Sequence, residues 1–290
     1  MKQIDLSIVS DCFLQSYLTS IDVEKIENKL KELGINLGHD LSSIVTANVE
    51  TIESKYLDIL KNGYTKEQIR DIKKVFDYSG YRQKESFMEH FKKLDIKSCP
   101  FCNNNYVYFY KKDAKKYNTI ATLEHYYPKS KYPHLSLSFY NLIPSCNTCN
   151  SKFKGNKTHE GKILHPYVDD FNEKAKFTVN VNSLELKKEI DLEINLNSND
   201  TKCNISIDRF QLDKIYKEHD DIAKEIWNKA QVYNESRIDE LHKEFYKKLG
   251  YTKEDVKKMI FCNYLKDEDI NKRNHSKLTQ DILKQFDLGI

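Results

Sequence analysis

Two C-x-x-C pairs place the strongest constraint on how this chain can fold. Cys99 and Cys102 form the first pair, and Cys146 and Cys149 form the second. Zn²⁺ prefers a tetrahedron of thiolate or imidazole ligands, and a C-x-x-C turn brings two sulfurs to one ion. The two pairs therefore predict a structural Zn²⁺ site that clamps the segment between them. Because four protein ligands leave no position for water, this zinc is expected to hold the fold together without taking part in catalysis.

A dithiol redox centre is the competing interpretation of a C-x-x-C motif. That interpretation requires one motif beside a βαβ pattern, whereas this chain has two motifs and lacks that pattern. Paired motifs in a reducing compartment favour metal binding over disulfides. The other three cysteines, Cys12, Cys203 and Cys262, are isolated in the sequence and are expected to be small buried hydrophobes.

The length and composition predict a globular chain with a sizeable core. The chain has 290 residues, 39% of them hydrophobic and 31% charged, which suggests one to three compact units. No uncharged apolar run approaches the roughly 18 residues of a membrane span. The N-terminus MKQIDLSIVSDCF also lacks the order of a signal peptide. We therefore predict a cytoplasmic protein that makes no membrane contact.

The positive charge of the chain is concentrated around the cysteines. Residues 99–160 carry 9 Lys and Arg against 3 Asp and Glu, whereas residues 1–98 carry 15 against 16 and residues 161–290 carry 23 against 25. Clustered positive charge suits a protein that binds a phosphate backbone, because counterion release supplies much of the sequence-independent affinity.

The hydrophobic patterns predict an α+β fold that is mostly helical and has three parts. Residues 1–98 are expected to form a helical region, with helices between 22 and 94, a helix start at Thr65, and breaks at Gly34, Gly63 and Gly80. Residues 99–166 are expected to form a central core of strand, strand and helix. The strands are predicted in NYVYFY and TIATLEHYY, and the helix from about Asn147.

Residues 167–290 are expected to form a small antiparallel sheet followed by helices. The runs KFTVNV, IDLEINL and CNISI alternate with a period of two, which is typical of strands. Helical patterns return after Asp213, with helices predicted near 235–249, 252–265 and 275–287.

The dipeptide Glu124-His125 is the candidate centre of a hydrolytic site. Phosphodiester hydrolysis needs a general base to activate water and a divalent ion to neutralise charge at the phosphate. Histidine suits the first task, and hard oxygen ligands suit the second. A twisted strand end, closed by Pro128, could bring both side chains to one cleft.

Two asparagines complete this constellation. Asn150 directly follows the last zinc cysteine, so the zinc site would fix the start of a helix that carries an amide oxygen towards Glu124. Asn141 has both donor and acceptor capacity and is suited to hydrogen-bond the loop backbone and so orient His125.

With these residues in place, the block from Cys99 to Lys154 resembles HNH nucleases of the ββα-metal (treble-clef-like) type, in their zinc-bearing version. The resemblance implies that His125 is the general base, that Glu124 and Asn150 bind one Mg²⁺ or Mn²⁺, and that Asn141 positions the base. Glu stands where Asp is frequent in the family, and Asn150 stands where His is frequent. Both variants still offer oxygen ligands.

A narrower resemblance links the chain to PtuB-like HNH proteins of bacterial anti-phage defence, which occur in Septu and retron systems. It rests on EHYYPKSKYPHLSLSFYNLIPSCNTCNSKFK, ILHPYVDDF and NKRNHSKLTQDIL. This resemblance implies an ABC/SMC-type ATPase partner, on which the N- and C-terminal helices would dock.

Several lysines around the motif are candidates for contacting phosphates, a role that positions nucleic acid without reading its sequence. They are Lys129, Lys131, Lys152, Lys154 and Lys157. The alternative is that they are exposed, solubilising residues. His134, His159 and His165 also lie near the motif, and a structural role is favoured for them over contact with a phosphate or metal.

Together these observations predict a metal-dependent HNH endonuclease that hydrolyses DNA phosphodiester bonds, with RNA not excluded as a substrate. The alternative is a non-catalytic zinc-finger module that binds nucleic acid or a protein partner.

Overall fold

The structure is a computed structural model that describes residues 1–61, 63–113, 116–155, 162–183 and 191–288. It confirms the α+β class, with many short helices and three two-stranded antiparallel sheets in the described residues. None of the described helices is long and apolar enough to cross a bilayer.

The helices of the N-terminal region precede the first cysteine. They are Asp11–Ser20, Val23–Glu32, Leu41–Thr46, Val49–Thr51, Ile52–Tyr56, Lys66–Val75, Tyr78–Tyr81 and Glu85–Lys92. The start predicted at Thr65 is confirmed: the Thr65 side chain accepts a hydrogen bond from Gln68 N, and the Gln68 side chain accepts one from Thr65 N. Gly34 and Gly63 lie between helices, but the break predicted at Gly80 is wrong, because Gly80 lies inside Tyr78–Tyr81.

The central region contains two strand pairs and short helices. Strand β1 (Phe109–Asp113) pairs with β2 (Lys116–Thr119), and β3 (Thr122–His125) pairs with β4 (Leu142–Ser145). The short helices are Pro133–Leu135, Phe139–Asn141 and Thr148–Lys154. The order of strand, strand and helix is therefore present, but TLEH pairs with LIPS and not with the NYVYFY segment.

The C-terminal region contains the third strand pair and the remaining helices. Strand β5 (Ala175–Ser183) pairs with β6 (Asp191–Ser198). The helices are Phe171–Lys174, Thr201–Phe210, Leu212–Lys217, Asp220–Val232, Glu235–Leu241, His242–Tyr246, Lys247–Leu249, Lys253–Phe261, Asp267–Lys272 and Ser276–Lys284.

The strand predicted for CNISI is wrong, because this run belongs to the helix Thr201–Phe210. Asp200 starts that helix by accepting a hydrogen bond from Cys203 N at 2.8 Å. The helix buries Cys203, Ile207 and Phe210 on one face, a spacing of about one turn. Helical packing therefore overrides a period-two pattern that is only five residues long.

One continuous cluster of buried residues draws side chains from all three predicted regions. Backbone hydrogen bonds also cross between the regions, from Ile4 N to Pro166 O at 2.8 Å and from Ser98 N to Asn271 O at 2.8 Å. The chain start and the C-terminal helices are thereby fastened to the cysteine-bearing centre. The division at residues 98 and 166 stays a prediction.

Candidate active site and cysteine cluster

The strand β3 carries the Glu-His dipeptide at its end. In the register of the β3–β4 pair, Glu124 lies opposite Ile143 and His125 lies opposite Leu142. Strand β4 leads within a few residues into the helix Thr148–Lys154, which packs against β3. This helix has the wide turns of a π-helix, a rare geometry that is frequent at functional sites. The result is a compact ββα unit around Glu124 and His125.

The Glu124 carboxylate forms a buried ion pair with Lys154. The Lys154 Nζ contacts Glu124 Oε1, and the two side chains are only 1% and 3% exposed. The same ammonium donates to the backbone carbonyl of His125 at 2.5 Å. Burial raises the pKa of Glu124 to about 7, while Lys154 acts in the opposite direction. Glu124 Oε2 is buried and has no hydrogen-bond partner among the described residues.

The His125 imidazole is held by a backbone carbonyl and an aromatic ring. Its Nε2 lies 3.1 Å from Ser136 O, and its ring meets Tyr78 edge-on, with 4.4 Å between ring centroids. A carbonyl can only accept, so Nε2 carries the ring proton and Nδ1 carries the lone pair. Burial, with a smaller contribution from the nearby Lys129, lowers the pKa of His125 to about 3. The imidazole is therefore neutral near pH 7.

Asn141 clamps the loop that follows the Glu-His dipeptide. Its Oδ1 accepts from Tyr127 N at 2.7 Å, and its Nδ2 donates to Tyr127 O at 3.1 Å and to Leu135 O at 2.9 Å. Asn141 O also accepts from Tyr126 N at 3.0 Å. The predicted hydrogen bonds to the loop backbone are thus present. They fix the path of the chain between His125 and Ser136, whose carbonyl orients the imidazole.

Asn150 lies in the first turn of the helix Thr148–Lys154, immediately after the last cysteine. Its backbone nitrogen donates to Cys146 O at 3.1 Å, so the cysteine turn positions it directly. Its side chain is half-buried. The residue of this helix that contacts Glu124 is Lys154, one turn beyond Asn150, and an approach of Asn150 to Glu124 stays a prediction.

The predicted phosphate-contacting lysines lie in different environments. Lys129 is half-buried, and its Nζ lies 4.8 Å from the centroid of the Tyr78 ring that contacts His125. Lys131 and Lys152 are exposed. Lys154 contradicts the prediction, because its buried ammonium is already paired with Glu124 and cannot face a phosphate from the surface. Lys157 lies outside the described residues, as does His159.

The four paired cysteines converge as predicted. Their sulfurs all lie within 4.8 Å of one another, and all four residues are buried. Cys146 N donates to Cys99 Sγ and Cys149 N donates to Cys146 Sγ, both at 3.4 Å. Four thiolates at this separation, steadied by backbone amides, form a cluster that could hold zinc. Two isolated cysteines contradict the prediction of burial, since Cys12 and Cys262 are exposed.

Two of the neighbouring histidines, His134 and His165, pack and hydrogen-bond within the fold. His165 packs against Tyr126 at 4.1 Å between centroids, and its Nδ1 accepts from Tyr167 N at 3.3 Å. His134 Nε2 lies 2.8 Å from Tyr56 O and joins the loop to the N-terminal helices. Sequence reasoning missed Ser136 and Tyr78, because a backbone carbonyl and a distant aromatic ring leave no local signal.

A buried Glu-His strand end, a loop clamp and a helix anchored by four cysteines together define a ββα unit with candidate metal ligands. Over 50 residues, 16% of this chain, the sequence is 48% identical to the Septu protein PtuB of Bacillus thuringiensis and covers 18% of that protein. Over 76 residues, 24% of the chain, it is 30% identical to protein ea31 of Escherichia phage lambda and covers 21% of it. The chain thus spans about a fifth of the length of these curated relatives. No family model and no solved structure matches it.

Proposed function

We propose that the protein is a metal-dependent HNH endonuclease that hydrolyses phosphodiester bonds of DNA. The observation that carries the proposal is the pairing of a neutral, oriented imidazole at His125 with a buried carboxylate at Glu124 on one strand end. The imidazole is suited to take a proton from water, and the carboxylate is suited to bind a cation.

His125 has the properties of a general base in this reaction. The Ser136 carbonyl holds the proton on Nε2, which leaves the Nδ1 lone pair to accept a proton from the attacking water. Tyr78 packs against the ring and restricts its rotation. The Asn141 clamp keeps Ser136 and His125 at a fixed separation through the intervening loop.

Glu124 and Asn150 would hold a Mg²⁺ or Mn²⁺ ion, since both offer the oxygen ligands that these ions prefer. The residues fit such an ion, because Glu124 Oε2 is buried and has no hydrogen-bond partner among the described residues. When bound, the ion would neutralise charge at the scissile phosphate and at the leaving oxygen. Lys154 favours the ionised form of Glu124, the form that binds a cation.

A plasmid-cleavage assay tests this function. The purified chain should nick supercoiled DNA with Mg²⁺ or Mn²⁺, and EDTA should abolish the activity. His125→Ala should reduce the rate by at least about 100-fold, the range expected for a general base. His242→Ala is the matched control, because His242 lies in a helix outside the ββα unit, where it is half-buried and its Nε2 contacts Tyr251 O at 3.0 Å.

Equal cleavage rates for His125→Ala and the parent would overturn the mechanism. A chain that binds zinc but cuts neither DNA nor RNA would favour the alternative, a zinc module without catalysis. RNA of the same sequence belongs in the assay, since a basic surface that contacts phosphates does not by itself distinguish the two nucleic acids.

We further propose that this nuclease acts in bacterial anti-phage defence with an ABC/SMC-type ATPase partner. Support comes from the 50 residues over which the chain is 48% identical to the Septu protein PtuB. Co-expression with an ATPase encoded beside it should reduce phage plaque formation. His125→Ala should remove that protection while the two proteins still co-purify.

A further inference from the structure

A row of exposed tyrosines lies between the first cysteine pair and the Glu-His strand. Tyr106, Tyr108 and Tyr110 are 42%, 39% and 45% exposed, and their spacing of two places successive side chains on one face of an extended chain. The rings of Tyr106 and Tyr108 are stacked, with centroids 5.1 Å apart and planes within 16° of parallel. Ile120, on the neighbouring segment, is 58% exposed. We call Tyr106, Tyr108 and Tyr110 the tyrosine row.

Basic residues neighbour the tyrosine row in the sequence, and a basic side chain shares a cleft with Tyr106. The sequence of the β1–β2 hairpin, residues 109–119, contains four lysines against one aspartate. Tyr106 itself lines a cleft of about 320 Å³ together with Arg273 and with Lys229, whose ammonium pairs with Glu225 at 2.5 Å. That volume is near the lower end of the range for small-ligand sites. An exposed aromatic face with the Arg273 guanidinium in the adjoining cleft suits a ligand that has both negative charge and flat aromatic rings.

The tyrosine row is joined by hydrogen bonds to the two residues that precede the strand of the candidate active site. Tyr108 O accepts from Ile120 N at 2.9 Å and from Ala121 N at 3.2 Å. Strand β3 begins at the next residue, and Glu124 lies three positions after Ala121. At a rise of about 3.3 Å per residue, this places Glu124 only about 10 Å further along the chain. A strand of nucleic acid at Glu124 could therefore extend over the tyrosine row.

We propose that the tyrosine row is a stacking platform for unpaired nucleobases of a nucleic-acid strand. Tyr106 and Tyr108 supply the stacking faces, and Arg273, in the cleft that Tyr106 lines, supplies charge for a phosphate. Stacking on aromatic side chains needs bases that are free of the duplex, as in binding sites for single strands. The inference rests on the proposed nuclease function and deepens it, because the platform would direct the enzyme to nucleic-acid strands that have an unpaired segment.

A binding assay separates base stacking from phosphate attraction. The full chain with His125→Ala, which is expected not to cut, is titrated at fixed salt against fluorescein-labelled oligothymidylate, an abasic strand of the same length, and a duplex. Fluorescence anisotropy gives each Kd. The abasic strand keeps the phosphates and lacks the bases, so the ratio of the two affinities reports stacking. An oligouridylate arm shows whether DNA or RNA is preferred.

The platform predicts that oligothymidylate binds more tightly than the abasic strand. In the His125→Ala background, Tyr108→Ala should weaken oligothymidylate binding by about tenfold, as expected for the loss of one stacked base. The affinity of the Tyr108→Ala variant for the abasic strand and for the duplex should not change. Tyr108→Phe should retain the preference, since it keeps the ring. Tyr251→Ala is the matched control, being a tyrosine of similar exposure, 42%, outside the row.

Equal affinities for normal and abasic strands would overturn the platform, as would an unchanged Kd for Tyr108→Ala. Either of these two results would be expected if the tyrosine row contacts a protein partner and not nucleobases. The assay measures no cleavage, so loss of the stacking preference is distinguishable from failure of the nuclease mechanism. Matching thermal unfolding of Tyr108→Ala and Tyr108→Phe would confirm that both variants are folded.

Discussion

Lys154 and Glu124 form an ion pair across the ββα unit in which neither side chain is more than 3% exposed. Placing two charges in a buried site is costly, and their attraction compensates only while both partners are present. The pair also connects the helix that follows the cysteines to the strand that carries His125. Changes at either residue should therefore affect both stability and the candidate active site.

Lys154→Met should destabilise the protein by about 3–5 kcal/mol, because it leaves the buried Glu124 carboxyl without its ion-pair partner. Urea unfolding measures this difference. Lys152→Met is the matched control on the same helix, and its exposed side chain predicts a change within about 0.5 kcal/mol. Adding Glu124→Gln to Lys154→Met should recover part of the loss. Similar effects of the two lysine variants would contradict a stabilising pair.

Replacement of one clustered cysteine should remove the bound metal and destabilise the protein. The sulfurs of Cys99 and Cys146 belong to the cluster within 4.8 Å, and a structural metal contributes directly to folding free energy. Elemental analysis should find about one zinc per parent chain, the content expected of a single four-cysteine site, and none in Cys146→Ser. Cys12→Ser is the control, because Cys12 is exposed and outside the cluster. Full zinc occupancy in Cys146→Ser would exclude this metal site.

The sequence was sufficient to predict features that a recognisable motif or residue type indicates. The convergence of Cys99, Cys102, Cys146 and Cys149 follows from the repeated C-x-x-C motif, although the two pairs are distant in the chain, and the loop contacts of Asn141 follow from its paired donor and acceptor. The buried position of Lys154 could not be predicted from the sequence in the same way. Its burial depends on a carboxylate 30 residues earlier in the chain, and a lysine beside other lysines ordinarily indicates an exposed surface.

The clamp made by Asn141 predicts a large effect for a small chemical change. Asn141→Asp keeps an acceptor for Tyr127 N but removes the donor to Tyr127 O and Leu135 O. Leaving buried carbonyls unpaired costs about 1–3 kcal/mol each, so unfolding should occur at clearly lower urea concentration. Nuclease activity should fall as well, since the loop positions Ser136 against His125. Asn180→Asp, at an exposed position, is the control, and equal midpoints for the two variants would contradict the clamp.

Acid should destabilise the protein through its buried histidines, and His134 offers a clear test. Burial lowers the pKa of His134 to about 4, from an ordinary value of 6.5. Between these values the unfolded chain binds a proton that the folded chain does not, so stability falls as pH decreases through the window. The full difference corresponds to about 3 kcal/mol. His134→Gln can still donate to Tyr56 O but cannot titrate.

The measurement is the free energy of unfolding in urea between pH 7 and pH 4. The parent should lose more stability over this range than His134→Gln, by up to about 3 kcal/mol. His39→Gln is the control, because His39 is exposed and should follow the parent. His125 and His165 have pKa values lowered in the same direction, so His134→Gln should keep part of the acid sensitivity. A pH dependence identical to the parent's would show that His134 is not held neutral by burial.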